Sequence, residues 1–522
     1  MDSEQQFVDL KIDLNDADDP ERLKALVARQ LGRAPASLGP IHVTRRSIDA
    51  RGGRVRFQLR VALGEAPPLE LLGLPEPEPV RPSQHVLIVG AGPAGRFAAF
   101  ELARHGVAST VIDRGKRVQP RRRDLALLNR GAAVHEDSNY CYGEGGAGTY
   151  SDGKLYTRAD KRGDVRDVLE ILVRHGATQD ILVNARPHIG SNKLPKVIAA
   201  LRDRLLSCGV EFEFEAKVVD LIMRGGSARG VRLADGRELM GDAVIMATGH
   251  SARDVYRLLA AHGAELESKP FAVGVRIEHP QPLVDGAQYG RFAGHPKLPA
   301  AYYRLAETVQ DRGVFSFCMC PGGWIVPAMT TSDELVVNGM SLAKRNSPFA
   351  NSGLVVGIEP ADLRSVGLDG PLGGLEFQRR IEARAMELGG GGLRAPSTLV
   401  SDFLRGARSE SARETSYLPG LTPTDLSIAL DAAGGPVADR LREALQAFDR
   451  RLPGYAGAEG QLLGTETRTS SPVRVLRDPR SLECRGIGRL FPAAEGAGYA
   501  GGIMSAAMDG QRIARRIAES FA

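Results

Sequence analysis

The chain has 522 residues, with 68 Lys and Arg against 63 Asp and Glu, for a formal net charge of +5 at pH 7. That length holds two or three domains with ample core, and a balance this even leaves no basic footprint for nucleic acid. Five cysteines without regular spacing argue against a disulfide-built secreted scaffold, and no apolar run approaches the ~18 residues of a membrane span. The start, MDSEQQFVDLKIDLNDADDPER, is acidic where a signal peptide is basic and apolar. The expectation is a soluble cytoplasmic protein with a small-molecule substrate and no membrane partner.

Residues 1–75 read as a small unit. Phe7, Val8, Leu10 and Ile12 suggest a strand, Asp19 and Pro20 open a helical pattern through Leu23, Leu26, Val27 and Leu31, and Ile41–Arg46 and Val55–Val61 read as two more strands. This βαββ-type module has mixed charge and no aromatic stacking pair, which suits a lid or packing domain better than contact with RNA. A Pro- and Glu-rich linker, set at 76–84, follows it.

His85–Arg96, HVLIVGAGPAGR, is the stretch around which the rest is arranged. A buried strand leads into Gly90, Gly92 and Gly95 at dinucleotide-loop spacing, and Pro93 and Ala94 open a helix that stops at Gly106. A pyrophosphate would lie on that helix N-terminus. A second strand over Ser109–Ile112 ends at Asp113, where a ribose hydroxyl is normally held, with Arg114 beside it. The basic run Lys116–Arg123, KRVQPRRR, reads as a solvated loop or a patch meeting a phosphate group.

Asn139–Tyr156, NYCYGEGGAGTYSDGKLY, is a second glycine-rich stretch, in which Thr149, Ser151, Asp152 and Lys154 point to backbone running close to a ligand. A helix near Val165–His175, the loop HIGSNKL and a helix ending at Cys208 come next, then strands over Val210–Phe214, Ala216–Ile222 and Gly230–Leu233. Ala243–Met246 runs into Ala247, Thr248 and Gly249 and returns the chain to a central sheet. In the segment beyond, Phe271–His279 alternates, with Arg276 opposite the apolar face. Val314–Cys320 alternates with Ser316, Cys318 and Cys320 on one side. Cysteines at i and i+2 of a strand are near the limit of disulfide reach and read as packed thiols.

Near the C-terminus a strand at Leu490 and Phe491 leads to Glu495, then to Gly496, Gly501 and Gly502 and a helix from about Ile503. Two nucleotide-directed elements some four hundred residues apart imply one long ligand with a substrate region inserted between them. A nicotinamide enzyme does not need the closing segment; an FAD enzyme does. No second GxGxxG follows a strand between 150 and 480, although NAD(P)H can enter a substrate cleft without such a loop. No HExxH, CxxC pair or nucleophile elbow is present, which leaves metal or serine chemistry no foothold.

On these motifs the chain resembles the two-domain FAD oxidoreductases of the glutathione reductase and fumarate reductase type. GEGGAGTYSDGKL, SFCMCPGG, ETRTSSPVR and EGAGYAGGIMSAAMDG resemble more closely a bacterial family of uncharacterised FAD-dependent dehydrogenases. The resemblance implies a Rossmann-like α/β FAD-binding domain (85–264 and 481–522), an inserted α+β substrate domain (265–480) and the small N-terminal domain. It places Gly90, Gly92 and Gly95 on the pyrophosphate, Asp113 on the adenosine ribose, Val218 at the adenine and Gly145, Gly146, Gly148 and Thr149 along the phosphates and flavin. Thr248 and Gly249 fall near the adenosine half and Glu495 on the ribitol. It also makes ETRTSSPVR a cleft lining in which Arg468 meets substrate or flavin.

For catalysis the candidates are Arg276 on an anionic substrate group or in an ion pair, Cys320, Arg468, and His250 as acid or base or as a hydrogen-bonding group near the adenosine half. The expected reaction is hydride removal from an organic small molecule, desaturating a C–C or C–N bond. The alternatives are an NAD(P)H-driven reductase or monooxygenase and a flavin-binding module acting on RNA or a protein.

Overall fold

A computed structural model describes residues 6–65, 76–157 and 163–522. Five parallel strands form its central sheet, in the order Leu490–Pro492, Ala243–Met246, Arg81–Val89, Val107–Ile112 and Glu211–Glu213. The runs Val86–Val89, Val107–Ile112, Ala243–Met246 and Leu490–Pro492 are buried throughout, as a parallel sheet covered on both faces requires. The first of these strands begins at Arg81, which pairs with Val107, so residues 81–84 belong to the sheet and not to the linker. Antiparallel strands Val218–Arg224, Ser227–Leu233 and Glu238–Met240 make a separate small sheet beside it.

Helix Pro93–Arg104 follows the first glycine turn and packs along the last helix, Ile503–Phe521. They touch at Gly510, where an added Cβ would stand 2.1 Å from the Ala94 carbonyl oxygen. Charge reinforces the contact: Arg515 Nε donates to Glu101 at 2.7 Å, and Asp167 accepts from Gln511 at 2.7 Å and from Arg104 at 2.8 Å.

The chain leaves this domain through Leu266–Ser268 and returns through Val473–Val475, two strands paired antiparallel. Between them lies a seven-stranded sheet with Phe271–Pro280 between Phe349–Ile358 and Gln461–Glu466. Helices Gly373–Gly389 and Val437–Arg451 lie against it. Phe271–His279 is a strand as expected, and both its apolar face and the face carrying Arg276 are buried. The alternation expected for Val314–Cys320 breaks. The register shifts between Phe317 and Cys320, and Cys318 has a φ of +44°.

Strands Phe7–Asp13, Arg56–Leu63 and Ile41–Asp49 form the N-terminal sheet in that order, with helix Pro20–Leu31 capped by Asp19, whose carboxylate accepts from the Glu21 and Arg22 N–H groups. Its buried residues join the core of the insert, and Arg46 exchanges backbone hydrogen bonds with Val183 and Ala185, both 2.9 Å. Residues 1–5 and 66–75 of the expected N-terminal unit lie outside the described residues.

The Gly510 contact leaves no room for a side chain. Gly510→Val should cost about 1–3 kcal/mol, the usual range for forcing extra carbons into a packed interface. A chemical-denaturation midpoint no lower than the parent's would show that the two helices can part freely.

Candidate functional site

The first glycine turn is built by exclusion. A Cβ on Gly90, whose φ is +112°, would lie 2.3 Å from the Ala247 carbonyl oxygen, and one on Gly95 would lie 2.0 Å from the Gly90 carbonyl oxygen. Gly92 then caps helix Pro93–Arg104 with no side-chain hydrogen bond, leaving the first-turn N–H groups open. Asp113 ties this turn to the second glycine-rich loop. Its carboxylate accepts from Ala91 N at 2.8 Å, Gly115 N at 2.8 Å and Gly143 N at 3.0 Å, and Gly145 N donates to the Ala91 carbonyl at 2.9 Å. A carboxylate offers about four acceptor positions, so one remains on Oδ2.

The second loop is folded around a buried cation that the sequence reading placed in solvent or on a phosphate. Residues 118–129 are helical, and Arg121 on that helix is fully buried. Its guanidinium donates to the carbonyl oxygens of Asn139 (2.9 Å), Tyr140 (3.0 Å), Glu144 (2.8 Å) and Gly146 (3.0 Å), and its carbon lies 5.2 Å from the Tyr150 ring centre. Glu144, also fully buried, accepts from Arg96 at 2.8 Å, Arg202 at 2.7 Å and the Val118 N–H at 2.7 Å.

A third element closes the space. Ala494, at φ +53°, donates its N–H to Asp509 at 2.7 Å, and Asp509 also holds Arg477. Tyr256 Oη donates to the Gly496 carbonyl at 2.7 Å. These bonds aim the N-terminus of helix Ile503–Phe521, again without a side-chain cap or an acidic residue in its first turn, at the same cavity as the first helix. The cavity has an empty volume of about 1560 Å³ including its open mouth. Gly249 and Gly502 lie on its wall, and among the described residues nothing beyond their chain neighbours comes within 4 Å of where a Cβ would stand. Two open helix N-termini, a spare carboxylate position at Asp113 and bare glycine walls fit a long ligand carrying a diphosphate.

Three family models match this chain: an FAD binding domain over 83–133, an "FAD-dependent protein, C-terminal domain-like" over 270–469, and a domain of unknown function over 4–64. An uncharacterised protein of Clostridium beijerinckii is 37% identical over 531 residues, covering 98% of each chain. The chain belongs to this family of FAD-dependent proteins. Among solved structures it is similar to CtdE in complex with FAD (12% identity, 84% of each chain, TM-score 0.33) and to the flavin-dependent brominase Bmp2 (13% identity, 84% and 79% covered, TM-score 0.37). Likenesses at that level are too low to fix a shared reaction. The family is FAD-dependent, its cofactor is FAD, and the α/β architecture is that of an FAD-binding enzyme with an inserted domain.

The cavity wall sorts the candidate residues. Gly90, Gly92, Pro93, Ala94, Asp113 and Arg114 line it from the first turn, as do Gly146, Gly148, Asp152 and Lys154 from the second loop. Val218, Thr248, Gly249, Glu495, Gly502 and Ile503 complete that side. The other candidates are structural in this geometry. Gly95 lets helix meet strand, Gly145 makes room for Thr149, whose Oγ1 donates to the Glu144 carbonyl, and Gly496 passes the Gly249 carbonyl, where a Cβ would stand 2.8 Å away. Gly501 donates its N–H to Ser505 Oγ at 3.1 Å. Arg114 stacks 4.6 Å from the Tyr142 ring centre and donates to Asp254 at 2.6 Å.

On the substrate side two candidates do not line the cavity, and Arg276 takes the ion-pair alternative. Arg276 is fully buried and off the wall, spending its N–H groups on Glu466 (2.8 and 3.0 Å), Asn351 (2.8 Å) and the Cys318 carbonyl (2.9 Å), so no anionic substrate group can reach it. Cys320 is buried behind the wall, and the half-buried Cys318 is the cysteine of this strand that lines it. Arg468 and His250 do line the cavity. Arg468 is paired with Glu334 and with Glu382 (3.0 Å), and Arg253 joins the same two carboxylates. His250 Nε2 sits 3.0 Å from the Arg468 carbonyl and must carry the proton there, which leaves Nδ1 facing Glu495 at 3.5 Å.

Two outcomes check this site. Arg121→Met would take a donor from four carbonyl oxygens, of which those of Glu144 and Gly146 keep bonds from Thr149, and should cost about 3 kcal/mol and abolish FAD retention, whereas Arg123→Met on the exposed side of the same helix should leave the ratio of flavin to protein absorbance unchanged. Burial works against the Glu382 carboxylate, but Arg468 and Arg253 outweigh it and hold it at about 2. Its contribution, on the order of 3 kcal/mol, is thus complete above about pH 4.5 and disappears as pH falls through about 2. The stability gap between the parent and Glu382→Gln should close over that range, and a constant gap would refute the assignment.

Proposed function

We propose that this FAD-dependent enzyme is a dehydrogenase or oxidase that removes a hydride and a proton from adjoining positions of an organic small molecule. The observation that carries this reading is the continuity of one cavity from Gly90 and Gly92 to a wall of the inserted domain made by Phe317, Cys318, Asn338, Arg468 and Thr469. When bound, FAD supplies the two-electron acceptor for a C–H bond.

The chain's own residues do the rest by placement. Phe317 gives the inserted wall an apolar surface, and Asn338 and Thr469 give it neutral polar groups. The charges around Arg468 cancel, since Arg253 and Arg468 meet Glu334 and Glu382, so this wall favours a neutral or weakly polar substrate over a strongly anionic one. Four of the five Arg468 N–H groups go to Thr330, Glu334 and Glu382, leaving one for a substrate oxygen. His250 is bonded through Nε2 to the Arg468 backbone, and the lone pair of its Nδ1 can take a proton beside Glu495.

The test is anaerobic mixing of the holoprotein with NADH, NADPH and a panel of amines and saturated carbonyl compounds, followed by flavin absorbance. Bleaching by a member of the panel and not by the nicotinamides is expected. Rapid stoichiometric bleaching by NADPH would overturn the reading in favour of a reductase or monooxygenase.

A further inference from the structure

The second glycine-rich loop ends at a cation aimed at two sulfur atoms. Lys154 Nζ lies 3.6 Å from Cys318 Sγ and 3.7 Å from Cys320 Sγ, and donates to the Met319 carbonyl oxygen at 2.5 Å. Cys318 is on the cavity wall, while Cys320 is fully buried behind it, with its Sγ 3.3 Å from the Cys318 carbonyl oxygen. Arg276 Nη2 stands 3.8 Å from the Cys320 sulfur.

In a regular strand, Cα atoms at i and i+2 lie about 6.6 Å apart, at the far edge of disulfide range. The left-handed φ at Cys318 and the register shift beside it break that regular spacing, and both sulfur atoms converge on the Lys154 ammonium. The neighbouring Cys320 thiol, followed by the Lys154 and Arg276 cations, holds the Cys318 thiol well below the usual thiol range. The neighbouring Cys318 and burial push the Cys320 thiol up. The anions facing the group are Asp152, 3.6 Å from Lys154 and bound to Arg345, and Glu466, bound to Arg276. A stabilised thiolate on a ligand cavity with a protonated thiol behind it is the arrangement of an attacking and a resolving cysteine.

We propose that Cys318 and Cys320 are a redox-active dithiol that exchanges two electrons with the FAD of the adjoining cavity. The Cys318 thiolate and the Cys320 thiol form one S–S bond, the Cys320 S–H bond breaks, and two electrons and one proton pass to oxidised FAD, which becomes its singly protonated reduced form. Charge and atoms balance with FAD as the only oxidant, and the reverse step reduces the disulfide. This chemistry goes beyond the C–H oxidation proposed above and rests on the FAD site alone.

Holoprotein oxidised with diamide and freed of the reagent should accept four electrons per FAD in an anaerobic dithionite titration. The peptide carrying both cysteines should be two mass units light and resist alkylation. Cys318→Ser and Cys320→Ala holoproteins should accept two electrons, and if the buried variant loses FAD, the Cys318→Ser protein on the cavity wall gives the same reading. Parent protein that accepts only two electrons and alkylates at both cysteines overturns the proposal. Lys154→Met should slow alkylation of Cys318 roughly tenfold at pH values below the parent thiol's own pKa, the change in thiolate fraction for one unit of pKa. An unchanged rate would also count against it.

Discussion

Everything at the cofactor end depends on a buried guanidinium that makes no hydrogen bond to a carboxylate. Arg121 cannot be left unsolvated in the interior, so the loop from Asn139 to Gly146 must wrap it with carbonyl oxygens. Across the loop, Asp113 collects N–H groups from both glycine-rich segments. One cation gathering carbonyls and one anion gathering amides fix two runs of glycine that would otherwise have little to hold them. The freedom of glycine is used to bring backbone close to a ligand, and the cost of that freedom is met by these two charges.

The inserted domain solves a different problem with the same means. Its central strand passes Arg276 through the interior, and Glu466 on the neighbouring strand answers it. Near the cavity, two arginines and two glutamates form a neutral quartet. Charges buried this way contribute little net attraction for an outside ion, yet removal of any member leaves the other three with one uncompensated charge. Their effect is to hold the wall rigid while leaving its field weak.

The sequence made the Rossmann-like sheet legible because strand, glycine turn, helix and acid occur within thirty residues, and local periodicity reports local structure. The closing segment was legible for the same reason. Arg121 and Glu144 were not, since their partners are backbone groups and distant arginines that leave no mark on spacing. The basic run around Arg121 looked solvated because charge runs usually are. Arg276 sat in an alternating pattern opposite an apolar face, and only the burial of every residue from Phe271 to His279 reveals that both faces are covered. The kink at Cys318 was hidden as well, because a non-glycine residue in left-handed conformation has no compositional signature and two cysteines in an alternating run give no hint of it.

The contact between Gly510 and Ala94 also sets a schedule for the ribosome. Helix Pro93–Arg104 emerges early, but the helix that covers it and completes the second open N-terminus, Ile503–Phe521, is made some four hundred residues later. At ordinary translation speeds the two are separated by roughly 20–80 s. Over that interval the apolar side of the first helix waits for its cover, and the cofactor cavity lacks one wall. A chain that stops short of Ile503–Phe521 lacks that wall of the cavity, so cofactor occupancy becomes a readout of whether synthesis has passed this helix.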